Sequence, residues 1–279
     1  MTESKIEKQM TPLEMYESRP QNLWKRILIF AILVVAVVWS AGGVQFNGIA
    51  AKGSEVAGGI VYGLTHPDTA LLFDMSTEGV FYLTAQTIAI AILGTIFGAI
   101  LAVPVSFLAS KNITNKVVAF IFRALILLIR TIPSLVWALV WIRVTGPNAF
   151  CGVVTQSICS IGMISKMYIT AIEDLDTGVL DALDASGCTT FQKIRIGVLP
   201  QLSANFISTT IYRFDINLKD ATTLGIVGAG GIGAALIQAI NSRRWAMVGS
   251  FLLVLIILVL IIEYFSTKIR TKLAGSVKN

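Results

Sequence analysis

Between Phe251 and Ile262 the chain reads F-L-L-V-L-I-I-L-V-L-I-I, with no polar side chain on any face. A helix of that sequence has no face for water. Spanning a bilayer takes about 20 such residues at ~1.5 Å rise each. Candidate spans of this kind are 27–44, 79–109, 117–142, 148–172, 198–218 and 245–265. The first and last are nearly pure Val/Ile/Leu runs. Those between are interrupted by Gly, Pro, Ser, Thr and isolated charges, which are tolerated where a helix faces protein or a water-filled cavity. The expected fold is an all-α polytopic membrane protein with six transmembrane helices.

Composition supports this: 55% of the 279 residues are hydrophobic and 14% are charged, against roughly a quarter charged in soluble domains. Mean hydropathy is +0.77. Seven prolines and no Ser- or Gln-rich tract argue against a large disordered region. Cys151, Cys159 and Cys188 make an odd count that suits reduced, packed thiols. His66 is the single histidine, which removes most zinc sites and most His-dependent catalysis.

Lys5, Lys8, Arg19, Lys25 and Arg26 precede the first span and place the N-terminus in the cytoplasm. Six crossings then put Lys111, Lys116, Lys193, Arg195 and the tail with Lys268, Arg270, Lys272 and Lys278 inside as well. Only Lys52, Arg143, Arg243 and Arg244 fall outside. The net charge of +6 is accordingly a topology signal that needs no nucleic-acid partner. The segment before the first span is too long and too acidic for a cleaved signal peptide, so that helix is expected to be retained. The expected organisation is a cytoplasmic segment 1–26, a first helix 27–44, an outer segment 45–78, a five-helix core 79–266 containing loop 173–200, and a basic tail 267–279.

Loop 173–200 is longer than most helix connections, a property associated with function. Its centre reads D-A-L-D-A-S-G from Asp181 to Gly187. Asp181 is expected to cap a short helix or sit in its first turn. Leu183, Gly187, Thr190, Phe191 and Ile194 recur at helical spacing, away from Gln192, Lys193 and Arg195. The pattern predicts an amphipathic helix beneath the membrane, either resting on headgroups or docking a cytoplasmic partner. Gly187 is expected to allow close approach or a bend, and Leu199-Pro200 to open the next span.

This segment resembles the EAA loop of ABC importer permeases, E-A-A-x-x-x-G-x(9)-I-x-L-P. Asp181 stands in the Glu slot, and Ala182, Gly187, Leu199 and Pro200 match. Leu183 replaces the second Ala, and Gly197 replaces Ile. The blocks R-T-I-P-S-L-V-W-A-L-V from Arg130, Y-R-F-D-I-N from Tyr212 and L-G-I-V-G-A-G-G-I-G from Leu224 resemble the permease of phosphonate importers. The similarity runs from roughly residue 80 to 272. It implies a type I (MetI-like) importer permease fold with a cytoplasmic coupling helix, in the bacterial inner membrane. It also implies a homodimeric pore, two ATP-binding cassette subunits using ATP and Mg, and a periplasmic or lipid-anchored substrate-binding protein. No cofactor is expected on this chain. Asp181, Ala182, Leu183, Gly187, Thr190, Phe191, Leu199 and Pro200 are then the expected ATPase-coupling residues.

Charges within spans are costly and mark candidate functional positions. Arg123 and Arg130 lie seven apart on one face of the third candidate span, which Pro133 is expected to kink. Asp215 and Lys219 have ion-pair spacing, and Arg213, Asn217 and Asp220 form a second stripe. Arg213, Arg130, Asn217 and Lys219 are the candidate substrate-pathway residues, because guanidinium groups match phosphonate oxygens. The competing reading is interhelix pairing, for example Arg130 with Asp215. Lys166 is expected to snorkel, Glu263 to be interfacial, and Trp137, Trp141 and Trp245 to anchor at the interface.

The stretch G228-A-G-G-I-G233 fits G-x-G-x-x-G, yet it lies between two spans and the next acid is Glu263. A dinucleotide site needs a strand–turn–helix unit and an acid about 20 residues on. Gly228, Ala229, Gly230, Gly231 and Gly233 are instead expected to form an outer gate or pore-lining hinge. There is no G-x-x-x-x-G-K-[ST] loop, so the chain is not expected to hydrolyse ATP. An intramembrane enzyme is the competing class, yet the chain has no H-E-x-x-H and no G-x-G-D motif, and a Ser/His dyad could use only His66 in an outer loop. A passive channel would have no use for the 181–200 segment.

Overall fold

The computed structural model describes residues 23–43 and 52–276, and all regular structure in them is helical. Most of the N-terminal segment and the last three residues of the basic tail lie outside the described residues. The chain divides into two compact units, Met1–Ser54 and Glu55–Asn279. The first contains α1 (Leu23–Gly43), a 21-residue apolar helix long enough to cross a bilayer.

The second unit opens within α2 (Gly53–Thr65) and continues through α3 (Thr69–Leu72) to α4 (Val80–Ala109). Then come α5 (Lys116–Thr131), α6 (Ser134–Thr145) and α7 (Ala149–Glu173). Two short helices follow, α8 (Thr177–Ala185) and α9 (Thr190–Gln192), and a π-helical turn (Lys193–Val198) leads directly into α10 (Leu199–Ile226). The chain ends with α11 (Ile232–Asn241) and α12 (Trp245–Ser276).

Among the described residues α1, α4, α7 and α12 are long and apolar enough to span, and α5 with α6 makes a fifth if the bent pair is one crossing. That is fewer than the six expected. The difference is α10, whose 28 residues suffice in length but carry Arg213, Asp215, Lys219 and Asp220. The break between α5 and α6 is larger than a kink, at 88°. Ile132 precedes a proline and is pushed out of the helical region to φ −92°, ψ 120°. Pro133, with no N–H to donate, starts α6 instead of continuing α5. The carbonyl of Ile129 in the last turn of α5 accepts a 3.3 Å hydrogen bond from the Trp137 indole. Trp137 therefore clamps the corner, a more specific role than interfacial anchoring.

The centre of the second unit is α4 against α7. Gly94 and Gly98 sit one turn apart on α4, and a Cβ at either would collide with Gln156 or Ser160 of α7. Small residues at this spacing let two membrane helices approach closely, where dispersion and polar contacts do the binding. At one end, Phe107, Ile164, Tyr168 and Ile172 pack with Val198, Leu202 and Phe206. The Tyr168 ring stacks on Phe206 at 3.9 Å between centroids. At the other end, Val80, Ile232, Val248, Phe251 and Leu255 bring α4, α11 and α12 together. Trp245 lies over Gly59 of α2, and Gly63 abuts Gly249, so this tryptophan is a packing wedge. His66 is exposed, stacked on Tyr62 at 4.6 Å. In the turn before α4, the Ser76 N–H and then its hydroxyl hold the Asp74 carboxyl below its usual range.

Candidate functional site

The segment 173–200 folds as two helices, where the spacing had suggested one amphipathic helix. Asp176 caps α8 by accepting from the Gly178 N–H at 2.9 Å, so Asp181 lies inside the helix and is no cap. The helix ends in a Schellman motif. Cys188 N–H reaches the Leu183 carbonyl at 3.1 Å, and Gly187 N–H reaches that of Asp184 at 2.9 Å. Gly187 has φ +74° and nothing within 4 Å of a Cβ position, so it provides the turn and not a close approach. Two residues later Thr189 and Gln192 form a capping box that starts α9. The sequence G-C-T-T-F-Q is thus a stop signal followed at once by a start signal.

Three contacts tie α8 to the helix that follows. Leu183 Cδ1 would lie 2.5 Å from a Cβ on Gly197, so the leucine fills the space left by the missing side chain. Lys193 bonds Asp184 at 2.7 Å, and Leu180 is buried in the cluster with Phe107 and Tyr168. The π turn has a local cause as well. Pro200 donates no N–H and its ring would crowd the Ile196 carbonyl, and the wider turn relieves this. Helical backbone therefore runs unbroken from Thr190 to Ile226. Asp181, Ala182, Thr190, Phe191 and Pro200 are exposed, while Leu183 and Leu199 are half-buried. Phe191, 70% exposed, is a large apolar side chain without a partner in the described residues.

Within α10 the polar residues divide into a buried group and an open one. Asn217 is fully buried and donates to Thr95 and to Ser160, both at 2.8 Å, while Gln156 donates to its carbonyl at 2.7 Å. Arg213 is also buried, bonded to Ser160 at 3.0 Å and 3.9 Å from Asp220. These side chains join α4, α7 and α10 and are closed to a passing solute in this structure. Arg213 and Asn217 are thus placed in an interhelix network, not on an open wall. The anticipated partnership of Arg130 with Asp215 does not form. Asp215 pairs with Lys219 at 3.2 Å, and Lys219 also reaches Glu263 of α12 at 3.3 Å. Arg123 instead pairs with Glu173 and donates to the Ala109 carbonyl at 2.8 Å.

The other face of α10 was missed by considering charges alone. Asn205, Ser208, Thr209, Tyr212, Lys219 and Thr223 fall on one helical stripe, at steps of three, four and seven residues. Asn205, Lys219 and Thr223 are exposed, and Ser208 and Tyr212 half-exposed. From residue 205 to 223 the stripe is roughly 27 Å long at the α-helical rise. A cavity of about 590 Å³ opens at its Asn205 end, between α7 and α10, lined by Lys166, Thr170, Asn205, Ser208 and Thr209 among others. The signal was present in the sequence as hydroxyls and amides at helical spacing.

The glycine segment breaks α10 from α11 as the pattern suggested, and it is held inside the chain. Gly228, Gly230 and Gly231 have φ of +91°, +82° and +75°. Gln86 and Thr87 of α4 accept from the N–H groups of Gly231 and Ile232 at 2.8 and 2.9 Å. Gly233 abuts the Thr222 carbonyl, and Ala229 is 1% exposed against Ala138, Cys151 and Leu224. A cysteine at Ala229 would consequently report packing within one chain. Among the described residues no group of three His, Cys, Asp or Glu side chains could hold a metal.

The family model for the binding-protein-dependent transport system inner membrane component matches residues 94–271. The phosphate-import permease protein PhnE of Mycolicibacterium smegmatis is 33% identical over 202 residues, covering 72% of this chain but only 38% of that protein. The phosphite transport system permease protein PtxC of Stutzerimonas stutzeri is 32% identical over 186 residues, 66% of this chain and 68% of that one. An inward-facing structure of the MetNI methionine ABC transporter superposes with a TM-score of 0.61 at 22% identity, covering 70% of this chain and 95% of that one, which shows a shared fold.

Proposed function

The chain belongs to the family of binding-protein-dependent transport system inner membrane components, and on that premise we propose that it is the pore-forming subunit of an ATP-driven importer for phosphonates or related phosphorus oxyanions. The observation that carries this reading is mechanical. One helical run, Thr190 to Ile226, carries the exposed Phe191 in its first turn and ends beyond the polar stripe of α10. A partner pressing on α8 and α9 would move the wall that Asn205, Ser208, Tyr212 and Lys219 present. Leu183 seated on Gly197 and Lys193 bonded to Asp184 make that linkage stiff.

In this reading α10 is a sixth crossing, whose polar face is acceptable because it meets water or a second copy instead of lipid. Both termini then lie in the cytoplasm, and two copies enclose the passage. Asp181, Ala182, Gly187, Thr190 and Phe191 dock the ATPase subunit, which binds ATP and Mg. Gly228, Gly230 and Gly231 form the hinge that closes the outer end. Arg213 and Asn217 hold the pore helices together and set its width, and Lys219 is the cation on its wall. A substrate-binding protein delivers the solute, and the pore alternates between inward- and outward-open forms. Phosphonates and their relatives are favoured because the relatives PhnE and PtxC carry phosphate and phosphite in their names.

The test is reconstitution of the chain with its cognate ATPase and binding protein in vesicles. ATPase stimulation is compared across methylphosphonate, phosphite, phosphate and methionine. Stimulation by the phosphorus anions and not by methionine is expected. Stimulation by methionine alone would overturn the substrate class, and uptake without ATP would overturn the importer reading.

A further inference from the structure

The side of α7 away from the polar stripe carries a second concentration of positive charge. Arg123 and Arg130 of α5 and Lys166 of α7 line one groove of about 200 Å³, completed by Ile126, Leu127 and Ile169. Arg130 lies with its stem against Gly162, where a Cβ would come within 2.9 Å, and Lys166 is one turn further along the same helix. Arg123 is already neutralised by Glu173. Arg130 and Lys166 form no ion pair among the described residues. Lys166 stands seven residues before the end of α7, or roughly 10 Å along the helix axis.

Both side chains are exposed on the single chain and carry no counter-charge among the described residues, so the two cations are available to one anion in the groove they share. The geometry points to a site for a tetrahedral phosphorus oxyanion between α5 and α7, held by Arg130 and Lys166. A guanidinium fork takes two oxygens side by side, and an ammonium group takes a third from another direction. That arrangement suits a phosphoryl group better than a planar carboxylate, which would leave one cation unmatched. The apolar sides made by Ile126, Leu127 and Ile169 accept whatever carbon chain the phosphorus carries. The same chemistry is offered by an anionic phospholipid headgroup and by a free phosphonate or phosphate. This site is separate from the passage wall on α10, although Lys166 borders the cavities on both sides of α7.

The test uses the purified full-length chain in detergent. One arm titrates inorganic phosphate and methylphosphonate by calorimetry. The other exchanges the protein into phosphatidylcholine micelles containing phosphatidylglycerol and counts retained anionic lipid by native mass spectrometry. The charge-removing pair Arg130→Gln/Lys166→Gln is expected to weaken the bound probe by roughly tenfold or more, since each charge-assisted hydrogen bond is worth about that. The charge-keeping pair Arg130→Lys/Lys166→Arg should retain binding. Leu127→Glu places a carboxylate in the same groove from an exposed position and is expected to displace the probe without touching either cation. Loss confined to the lipid arm identifies a headgroup as occupant, and loss confined to the calorimetric arm identifies a soluble anion. If no probe binds the wild-type chain, or if binding survives both Leu127→Glu and the charge-removing pair, the site does not exist. Either result leaves the ATPase assay, and with it the importer reading, unaffected.

Discussion

Gly197 has no side chain to offer, and Leu183 occupies the space where one would stand. The two positions depart together from the EAA pattern: a larger residue on α8 faces a smaller one on the π turn. Volume is conserved across the contact, as core packing demands. Leu183→Ala is expected to cost about 1–3 kcal/mol, below the full-burial range because the residue is half-buried. Gly197→Ile alone should be worse, by collision. The double change should recover a coupling of about 1 kcal/mol or more, since contacting residues are non-additive. Thermal unfolding in detergent and substrate-stimulated ATPase of the assembled complex measure the two effects. Asn217 makes a second residue-scale case. Asn217→Leu removes two donated bonds and leaves Thr95 and Ser160 without that partner. A loss of about 1–2 kcal/mol in unfolding free energy is expected, in line with interhelical hydrogen bonds in bilayers.

At the scale of elements, glycines with positive φ separate into two kinds. Gly187 ends α8 in open space, so Gly187→Ala is charged only for the left-handed backbone, about 1–2 kcal/mol. Gly231 has a similar φ of +75°, but a Cβ there would come within 2.6 Å of Thr87 Oγ1, which holds the loop to α4. Gly231→Ala is expected to destabilise far more than Gly187→Ala, and to separate α10 from α4. Melting temperatures of the two variants, compared side by side, check this ranking. The π turn belongs to this scale too. Pro200→Ala restores an N–H to the ladder and removes the crowding at the Ile196 carbonyl. It should favour a regular α-helical turn and rotate α9 relative to α10 by a fraction of a turn, readable by distance measurements between spin labels on the two segments. ATPase coupling should fall while insertion and folding persist.

For the whole molecule, the two faces of α10 have opposite fates. The face with Asn217 and Arg213 binds α4 and α7, while the face with Asn205, Ser208, Lys219 and Thr223 stays open in the single chain. Single cysteines at the open positions should react with a water-soluble thiol reagent in the assembled transporter. Cysteines at Phe206, Leu218 and Leu224 should stay inert. Reaction that follows no helical period would sink the assignment of this face as a passage wall. Much of this architecture was legible in residue order. Apolar run lengths marked α1, α4, α7 and α12, the glycines marked the break before α11, and the 181–200 motif marked the short helices between α7 and α10. Those features depend on local chemistry: hydrophobic length, the proline ring, the freedom of φ at glycine. Which side of each charged helix meets protein was not legible, because pairing depends on side chains brought together from distant parts of the chain. Arg213 finds Ser160, Arg123 finds Glu173, and Leu183 finds Gly197 only once the helices have packed. The sequence alone determined that this chain carries membrane-spanning helices and a helical segment with the spacing of the EAA pattern between two of them. Tertiary packing decided which charges bind helices together and which remain open, since an ion pair within a bilayer is worth its desolvation only when its partner is already in place.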